Sequence, residues 1–240
     1  MRYIILCISI LFSLTNLAQT GQTEDYLEDI RRKLQKKWPH NKTINLVFHG
    51  HSVPSGYFNT PHVRTMEAYP QQVLEAVKSI YPYAVVNSIT TAIGGENAEQ
   101  GAERFNRDVL CHKPDVLFVD YALNDRAIGL DKSRLAWKEM IKTAQEHGIK
   151  VILLTPTPDL TEDILDDNSP LEQFSIQIRE LSEEYGTGLV DSYDAFKQKR
   201  RNGEKLNAFM SQSNHPNARG HEVVKELILS YFSEENQLLK

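Results

Sequence analysis

Four positions along the chain carry the groups that nucleophilic acyl transfer requires. Ser52 lies in the segment FHGHSVPSG, the Gly94–Gly95 turn in AIGGENAEQG, Asn124 in VDYALND and His215 in NHPNARGH. A serine hydroxyl becomes a nucleophile when an imidazole takes its proton, and the resulting oxyanion needs two or three fixed N–H donors. Ser52 with His215 would meet the first need. The Ser52 N–H, the glycine turn and the Asn124 amide would meet the second.

The sequence around these residues predicts strands and helices that alternate along the chain. Short apolar runs predict strands at residues 44–48, 84–88, 115–121, 150–155 and 188–192. Helical spacing predicts helices at residues 23–38, 70–80, 97–109, 133–147, 171–185 and 220–232. Continuously apolar strands between helices are typical of a parallel sheet that is covered on both faces. The sequence therefore predicts a three-layer α/β/α fold with a central, mainly parallel five-stranded sheet.

The polar segments follow the predicted strands. HGHS comes after the first strand, ITTAIGGEN after the second, ALND after the third and PTPD after the fourth, while SQSNHPNARGH precedes the last helix. In an open parallel sheet, ligands bind outside the carboxyl ends of the strands. We therefore expect Ser52, Gly94–Gly95, Asn124 and His215 to meet at this edge.

The order and context of these motifs resemble the SGNH/GDSL superfamily of serine ester hydrolases over nearly the whole chain after its start. The resemblance implies a flavodoxin-like fold, Ser52 as nucleophile and His215 as base. It also implies an oxyanion hole formed by the Ser52 N–H, the Gly95 N–H and the Asn124 side chain. No cofactor and no metal are implied.

Two positions depart from the family pattern. His51 stands where the family has the Asp before its nucleophile, and Gln212 stands where the family has its triad acid, three residues before the histidine. Gln212 could orient the base by accepting a hydrogen bond from the imidazole Nδ1–H. Otherwise the site works as a Ser–His dyad, borrows Asp191 or Asp194, or has weakened catalysis.

A metal site is the alternative for the histidines of this first motif. His49 and His51 are two residues apart on an extended segment, and His-x-His occurs in zinc sites. A third ligand would have to come from His62, His215 or a carboxylate. Because no HExxH motif or Asp-rich cluster is present, the serine constellation is the better explanation.

The composition and the N-terminal residues indicate which partners and which cellular location to expect. A net charge of −5 without long Lys/Arg runs argues against nucleic acid as a partner. Residues 1–18 contain an apolar run too short to span a bilayer, which predicts a signal peptide followed by a single domain over residues 19–240. We expect an exported protein, periplasmic or secreted, without a membrane span in the mature chain; an uncleaved anchor is the alternative.

The substrate class depends on one long connection. The segment SGYFNTPHVRTMEAYP joins the first strand to its helix and contains Tyr, Phe, His and Arg, which suit stacking and hydrogen bonding to sugar. We therefore expect O-acetyl esters of carbohydrates, or another small ester, as substrates. The alternatives are a lipase, lysophospholipase or thioesterase of the same superfamily, or a catalytically impaired glycan-binding module.

Overall fold

The computed structural model describes residues 26–233. The predicted signal peptide, residues 1–18, lies outside these described residues. Within them, no helix is both long enough and apolar enough to cross a bilayer.

Among residues 26–233, the centre of the fold is a sheet of five strands, all parallel, in the order β2-β1-β3-β4-β5. The strands are β1 Thr43–Gly50, β2 Val85–Thr90, β3 Val116–Asp120, β4 Lys150–Leu154 and β5 Gly188–Val190. Every residue of the central strand β3 is buried, as expected for a strand that is covered on both faces. The predicted fold class and strand count are confirmed.

Helices cover both faces of the sheet. They are α1 Glu28–Leu34, α2 Ser52–Ser55, α3 Tyr69–Ile80, α4 Ala98–Glu103, α5 Phe105–Asp108, α6 Ala122–Asp125, α7 Leu130–Glu146, α8 Pro170–Tyr185, α9 Ser192–Arg201 and α10 Ala218–Leu229. Alternate residues of the strands enter two apolar clusters: Phe118 lies in the cluster with α3 and α10, and Leu117 in the cluster with α7 and α8. The site-bearing loops therefore extend from a sheet that is packed on both sides.

Within the described residues, the predicted elements agree with the observed ones to within a few residues, with one break. Helix α9 was not predicted, and the start of the first predicted helix, residues 23–25, lies outside the described residues. The helix predicted at residues 97–109 is two helices, because Arg104 between them has φ −100° and ψ 2°. Its guanidinium is buried and pairs with Glu96, an interaction that apolar spacing does not reveal. Helix α8 ends at Gly186, whose φ of 60° is the left-handed conformation that commonly follows the last residue of a helix.

Candidate active site

The turn after β1 places Ser52 at the start of a short helix. His51 has an extended backbone and caps α2, because its Nδ1 accepts the Val53 N–H at 3.2 Å. Gly50 permits a close approach to β3: a Cβ there would lie 2.3 Å from the Asp120 carbonyl oxygen. As the first residue of α2, Ser52 has an N–H without an intrahelical acceptor, so this donor is available to a ligand.

His215 reaches Ser52 from the other end of the chain. Its Nε2 lies 2.9 Å from the Ser52 Oγ, and both residues are buried. The loop that carries His215 is fixed locally, since the Ser211 N–H donates to the His215 carbonyl at 2.9 Å and Asn217 caps α10. The serine and histidine predicted 163 positions apart are therefore in hydrogen-bond contact.

The second nitrogen of the His215 ring faces a backbone carbonyl. His215 Nδ1 lies 3.0 Å from the Phe58 oxygen. Because a carbonyl can only accept, Nδ1 carries the proton and the Nε2 lone pair faces the Ser52 hydroxyl. Burial lowers the pKa of His215 below its usual 6.5, and the Phe58 carbonyl acts in the opposite direction.

Gln212 makes a contact different from the one the sequence suggested. Its Oε1 accepts the Thr60 N–H at 3.0 Å, and its Nε2 donates to Asn214 at 3.2 Å. The imidazole Nδ1–H goes instead to Phe58. Gln212 therefore contacts the loop that supplies the acceptor, and the expected hydrogen bond from the ring to Gln212 is replaced by one to the backbone.

The two acids proposed as substitutes are occupied elsewhere. Asp191 caps α9 and pairs with Arg179, whose Nε lies 2.6 Å from its Oδ2. Asp194 accepts from Gln198 at 3.2 Å on the same helix. Both carboxylates thus have partners other than His215, whose Nδ1 faces the Phe58 carbonyl.

The remaining oxyanion candidates lie side by side, Gly95 in the loop after β2 and Asn124 in the short helix α6. The Asn124 Nδ2 donates to the Glu96 carbonyl at 2.8 Å, which places the amide beside Gly95. Gly95 has φ +84°, a conformation that favours glycine. The Ser55 Oγ donates to the Ala92 carbonyl at 3.0 Å and so ties this loop to the nucleophile helix. The geometry thus brings all three predicted donors to one edge of the sheet.

Asp125, the neighbour of Asn124, has a structural role. Its fully buried carboxylate accepts from the Ala98 N–H at 2.7 Å, the Ser133 hydroxyl at 2.7 Å and the Trp137 indole at 2.8 Å. Burial raises the pKa of this carboxyl. The three donors join α6 to α4 and α7, which fixes the backbone that carries Asn124.

Tyr57 forms one side of the site, although sequence reasoning gave it no individual role. A Cβ on Gly94 would lie 2.7 Å from the Tyr57 ring, so the ring packs directly on the glycine turn. The ring centroid of Tyr57 is also 5.8 Å from that of His215. Tyr57 therefore lies between the base and the oxyanion loop.

The two histidines of the first motif do not share a site. His49 is buried against Thr91, the Gly101 carbonyl and Tyr121, with contacts of 2.8, 3.1 and 3.1 Å. Burial lowers its pKa to about 3. Over residues 26–233, no group of three or more His, Cys, Asp or Glu side chains is placed to hold a metal ion. His49 is therefore a neutral residue of the core.

His51 instead faces a buried acid that the motifs did not identify. Its Nε2 lies 3.3 Å from the Asp120 Oδ1, while its Nδ1 lies 3.4 Å from the Ser52 Oγ. Asp120 ends the strand VLFVD, and an acidic residue closing an otherwise apolar central strand is the signal that could have found it. Behind it, the Tyr69 hydroxyl donates to the Asp120 Oδ2 at 3.1 Å.

Two solved structures that share this fold, Axe2 and CEX, are described as esterases that act on acetylated carbohydrates. Axe2, an acetylxylan esterase from Geobacillus stearothermophilus, superposes with a TM-score of 0.70 at 19% identity, covering 80% of this chain and 95% of that chain. A two-domain esterase, CEX, described as active on acetylated mannans, gives a TM-score of 0.71 at 17% identity. That match covers 86% of this chain and 52% of CEX. At these identities the likeness concerns the fold.

Sequence comparison gives a short relative and a longer family match. The uncharacterized lipoprotein YqeF of Bacillus subtilis (strain 168) is 36% identical over 78 residues, which are 29% of this chain and 32% of that protein. The chain thus spans about a third of the length of this relative. The model of the GDSL-like lipase/acylhydrolase family matches residues 48–223, which include Ser52 and His215. The chain belongs to the GDSL-like lipase/acylhydrolase family.

Proposed function

We propose that the protein is an exported serine esterase that removes O-acyl groups, in the first place O-acetyl groups, from carbohydrates. The observation that carries the chemistry is the 2.9 Å contact between the Ser52 Oγ and the His215 Nε2, with the opposite ring nitrogen held by the Phe58 carbonyl. This arrangement directs an imidazole lone pair at a serine hydroxyl.

The reaction follows from these contacts. The Ser52 oxygen bonds to the acyl carbon while its proton passes to the His215 Nε2, and the carbonyl oxygen takes up the negative charge. The Ser52 N–H, the Gly95 N–H and the Asn124 amide donate to that oxyanion. The imidazolium then protonates the leaving alkoxide, which gives an acyl-serine. Water hydrolyses the acyl-serine by the same steps, again with His215 as base.

The Phe58 carbonyl replaces a carboxylate behind the base. It fixes the tautomer as a carboxylate would, but it has no net charge with which to stabilise the imidazolium. Solved variants of Axe2 that are described as catalytic mutants are changed at a serine, a histidine and an aspartate. In this chain the position three before the histidine is Gln212. Its Oε1 accepts the Thr60 N–H, and this hydrogen bond orients His215 indirectly, through the loop that carries Phe58.

Two observations support a carbohydrate ester as the substrate. Axe2 is described as an acetylxylan esterase, and CEX as active on acetylated mannans. Around the site of this chain, Tyr57 lies beside His215 and the Arg64 guanidinium lies 3.7 Å from the centre of the Phe58 ring. Aromatic and cationic groups of this kind suit the stacking and hydrogen bonding that a sugar requires.

Export is supported by the sequence of the N-terminus and by a relative that is called a lipoprotein. In this proposal residues 1–18 are a signal peptide and residues 19–240 one domain. Expression of the full chain with a C-terminal tag, followed by fractionation and N-terminal sequencing, tests it. Retention of an intact N-terminus in the cytoplasm would contradict it.

A fluorophosphonate probe tests the nucleophile. We expect it to label the wild type and a Ser79→Ala control, whose exposed hydroxyl lies on α3, but not Ser52→Ala. Hydrolysis of acetylated xylan and mannan, compared with p-nitrophenyl acetate and octanoate, then tests the substrate. Preference for the octanoate would favour a lipase or thioesterase, and unlabelled wild type that binds glycan would favour a binding module.

A further inference from the structure

We infer that His51 and Asp120 are a matched pair in which His51 positions Ser52 and faces the buried Asp120 carboxylate, so that a second carboxylate is excluded at position 51. The catalytic part of this inference rests on the proposed function. Its consequence is that restoring the family residue, by His51→Asp, harms this protein unless Asp120 is changed with it.

The tautomer of His51 follows from its cap. Nδ1 accepts the Val53 N–H at 3.2 Å, so this nitrogen is unprotonated and a neutral ring carries its proton on Nε2. The same Nδ1 lies 3.4 Å from the Ser52 Oγ. One side chain thus fixes the first turn of α2, and with it the direction of the Ser52 N–H and hydroxyl. Because its lone pair is used by the Val53 N–H, His51 is a positioning residue and not a second base.

The protonated nitrogen of His51 faces the acid. Nε2 lies 3.3 Å from the Asp120 Oδ1, an electrostatic contact that is not aligned as a hydrogen bond. On the other oxygen, Asp120 accepts from the Tyr69 hydroxyl at 3.1 Å. Tyr69 is fully buried, and its pKa is raised well above the usual value by burial and by the carboxylate, so it stays a donor.

The Asp120 carboxylate is therefore sensitive to a charge at position 51. The exposed fraction of Asp120 is 3%, and that of His51 is 1%. A buried carboxylate is costly unless donors surround it. Aspartate at position 51 would be a good cap for α2, but it would put a second carboxylate where Asp120 now meets an N–H. Two carboxylates sharing one buried site cannot both ionise without a large cost. Histidine at position 51 avoids this conflict.

A double-mutant cycle tests the pair, with the wild type, His51→Asp, Asp120→Asn and the double variant. His51→Asp is expected to lower Tm and to lower kcat for p-nitrophenyl acetate by about 30-fold, with KM changed less than about threefold. Asp120→Asn keeps an acceptor for Tyr69 and is expected to change kcat by less than about threefold. In the double variant the side-chain amide at position 120 can donate to the new carboxylate, so kcat is expected to return to within about fivefold of wild type.

His51→Asn is the matched control for the cap, because asparagine caps helices well and adds no charge. It is expected to lie close to wild type in Tm. Additive effects in the cycle, or a fully active and stable His51→Asp, would overturn the pairing. A fall in Tm with unchanged kcat would overturn the positioning role. If no variant and no wild type hydrolyses esters, the proposed function fails, while non-additive Tm values would still establish the pair.

Discussion

His215 and His51 flank the same serine, but what lies behind each ring is different. His215 presents Nε2 to Ser52 at 2.9 Å and holds its Nδ1–H on the Phe58 carbonyl. His51 presents Nδ1 at 3.4 Å, shares that nitrogen with the Val53 N–H, and faces the Asp120 carboxylate on its other side. The charged partner stands behind the ring that caps the helix, and the neutral partner behind the ring that can take the proton.

Proximity to a serine does not by itself make an imidazole a base. The lone pair of a base must be free to accept the hydroxyl proton. His215 meets this condition because a backbone carbonyl fixes its tautomer. His51 does not, because the helix cap uses its lone pair. In the proposed mechanism, the site therefore combines a base that has no carboxylate behind it with a carboxylate that does not act on the base.

Replacing each of the two histidines is expected to give the largest difference in kcat. His215→Ala is expected to lower kcat by about 10³-fold or more, because no other group then takes the Ser52 proton. His51→Asn is expected to lower it by less than about tenfold, because asparagine keeps the α2 cap. Steady-state hydrolysis of p-nitrophenyl acetate by both variants checks this. Equal losses would mean that both rings exchange the proton with Ser52.

The oxyanion side gives the next largest effect. Asn124→Ala removes the side-chain donor and is expected to lower kcat by about 10²-fold, with a smaller change in KM. Asn87→Ala, an exposed position on β2, is the matched control and should stay close to wild type. If Asn124→Ala changed KM alone, Asn124 would bind the ground state and not the oxyanion.

Much of the fold was predictable from the sequence for a physical reason. Parallel strands buried on both faces read as continuous apolar runs, and VLFVD gave β3 nearly to its ends. The break at Arg104 was not predictable, because it follows from a buried ion pair with Glu96. Apolar periodicity records which face is buried and carries no information about such polar contacts.

The candidate site was predictable where a side chain carries the chemistry. Ser52 and His215 stand in motifs, and the structure puts them in contact. The Phe58 carbonyl was not predictable, since every residue has a carbonyl and only the loop conformation directs this one at His215. The partner of His51 was missed for a related reason: Asp120 is distant in the sequence and meets it only through the pairing of β1 with β3.

Substitutions at Gln212 test how the loop that carries the Phe58 carbonyl supports His215. Gln212→Ala removes the acceptor of the Thr60 N–H and is expected to lower kcat about fivefold, the equivalent of one hydrogen bond of ~1 kcal/mol. Gln212→Glu keeps that acceptor and should stay within about twofold of wild type. Gln212→Asp, which restores the family acid, is expected to leave activity unchanged or to raise it. Steady-state kinetics of the three variants on p-nitrophenyl acetate check this. A large loss in Gln212→Asp would show that glutamine has a required role of its own.

The pH dependence of kcat/KM is expected to show the smallest effect, and it tests whether a carboxylate acts on His215. Only neutral His215 can accept the Ser52 proton, so kcat/KM falls as the pH drops through the pKa of this ring. Burial lowers that pKa below 6.5, which places the acid limb of the wild-type profile below pH 6.5. A carboxylate behind the ring would stabilise the imidazolium and raise the pKa, so Gln212→Asp is expected to move the limb to higher pH. Measurements of kcat/KM in buffers of constant ionic strength give the acid limb of the wild type and that of Gln212→Asp. A wild-type limb above pH 6.5 would mean that a carboxylate already acts on His215, and the contrast between the two histidines would fail.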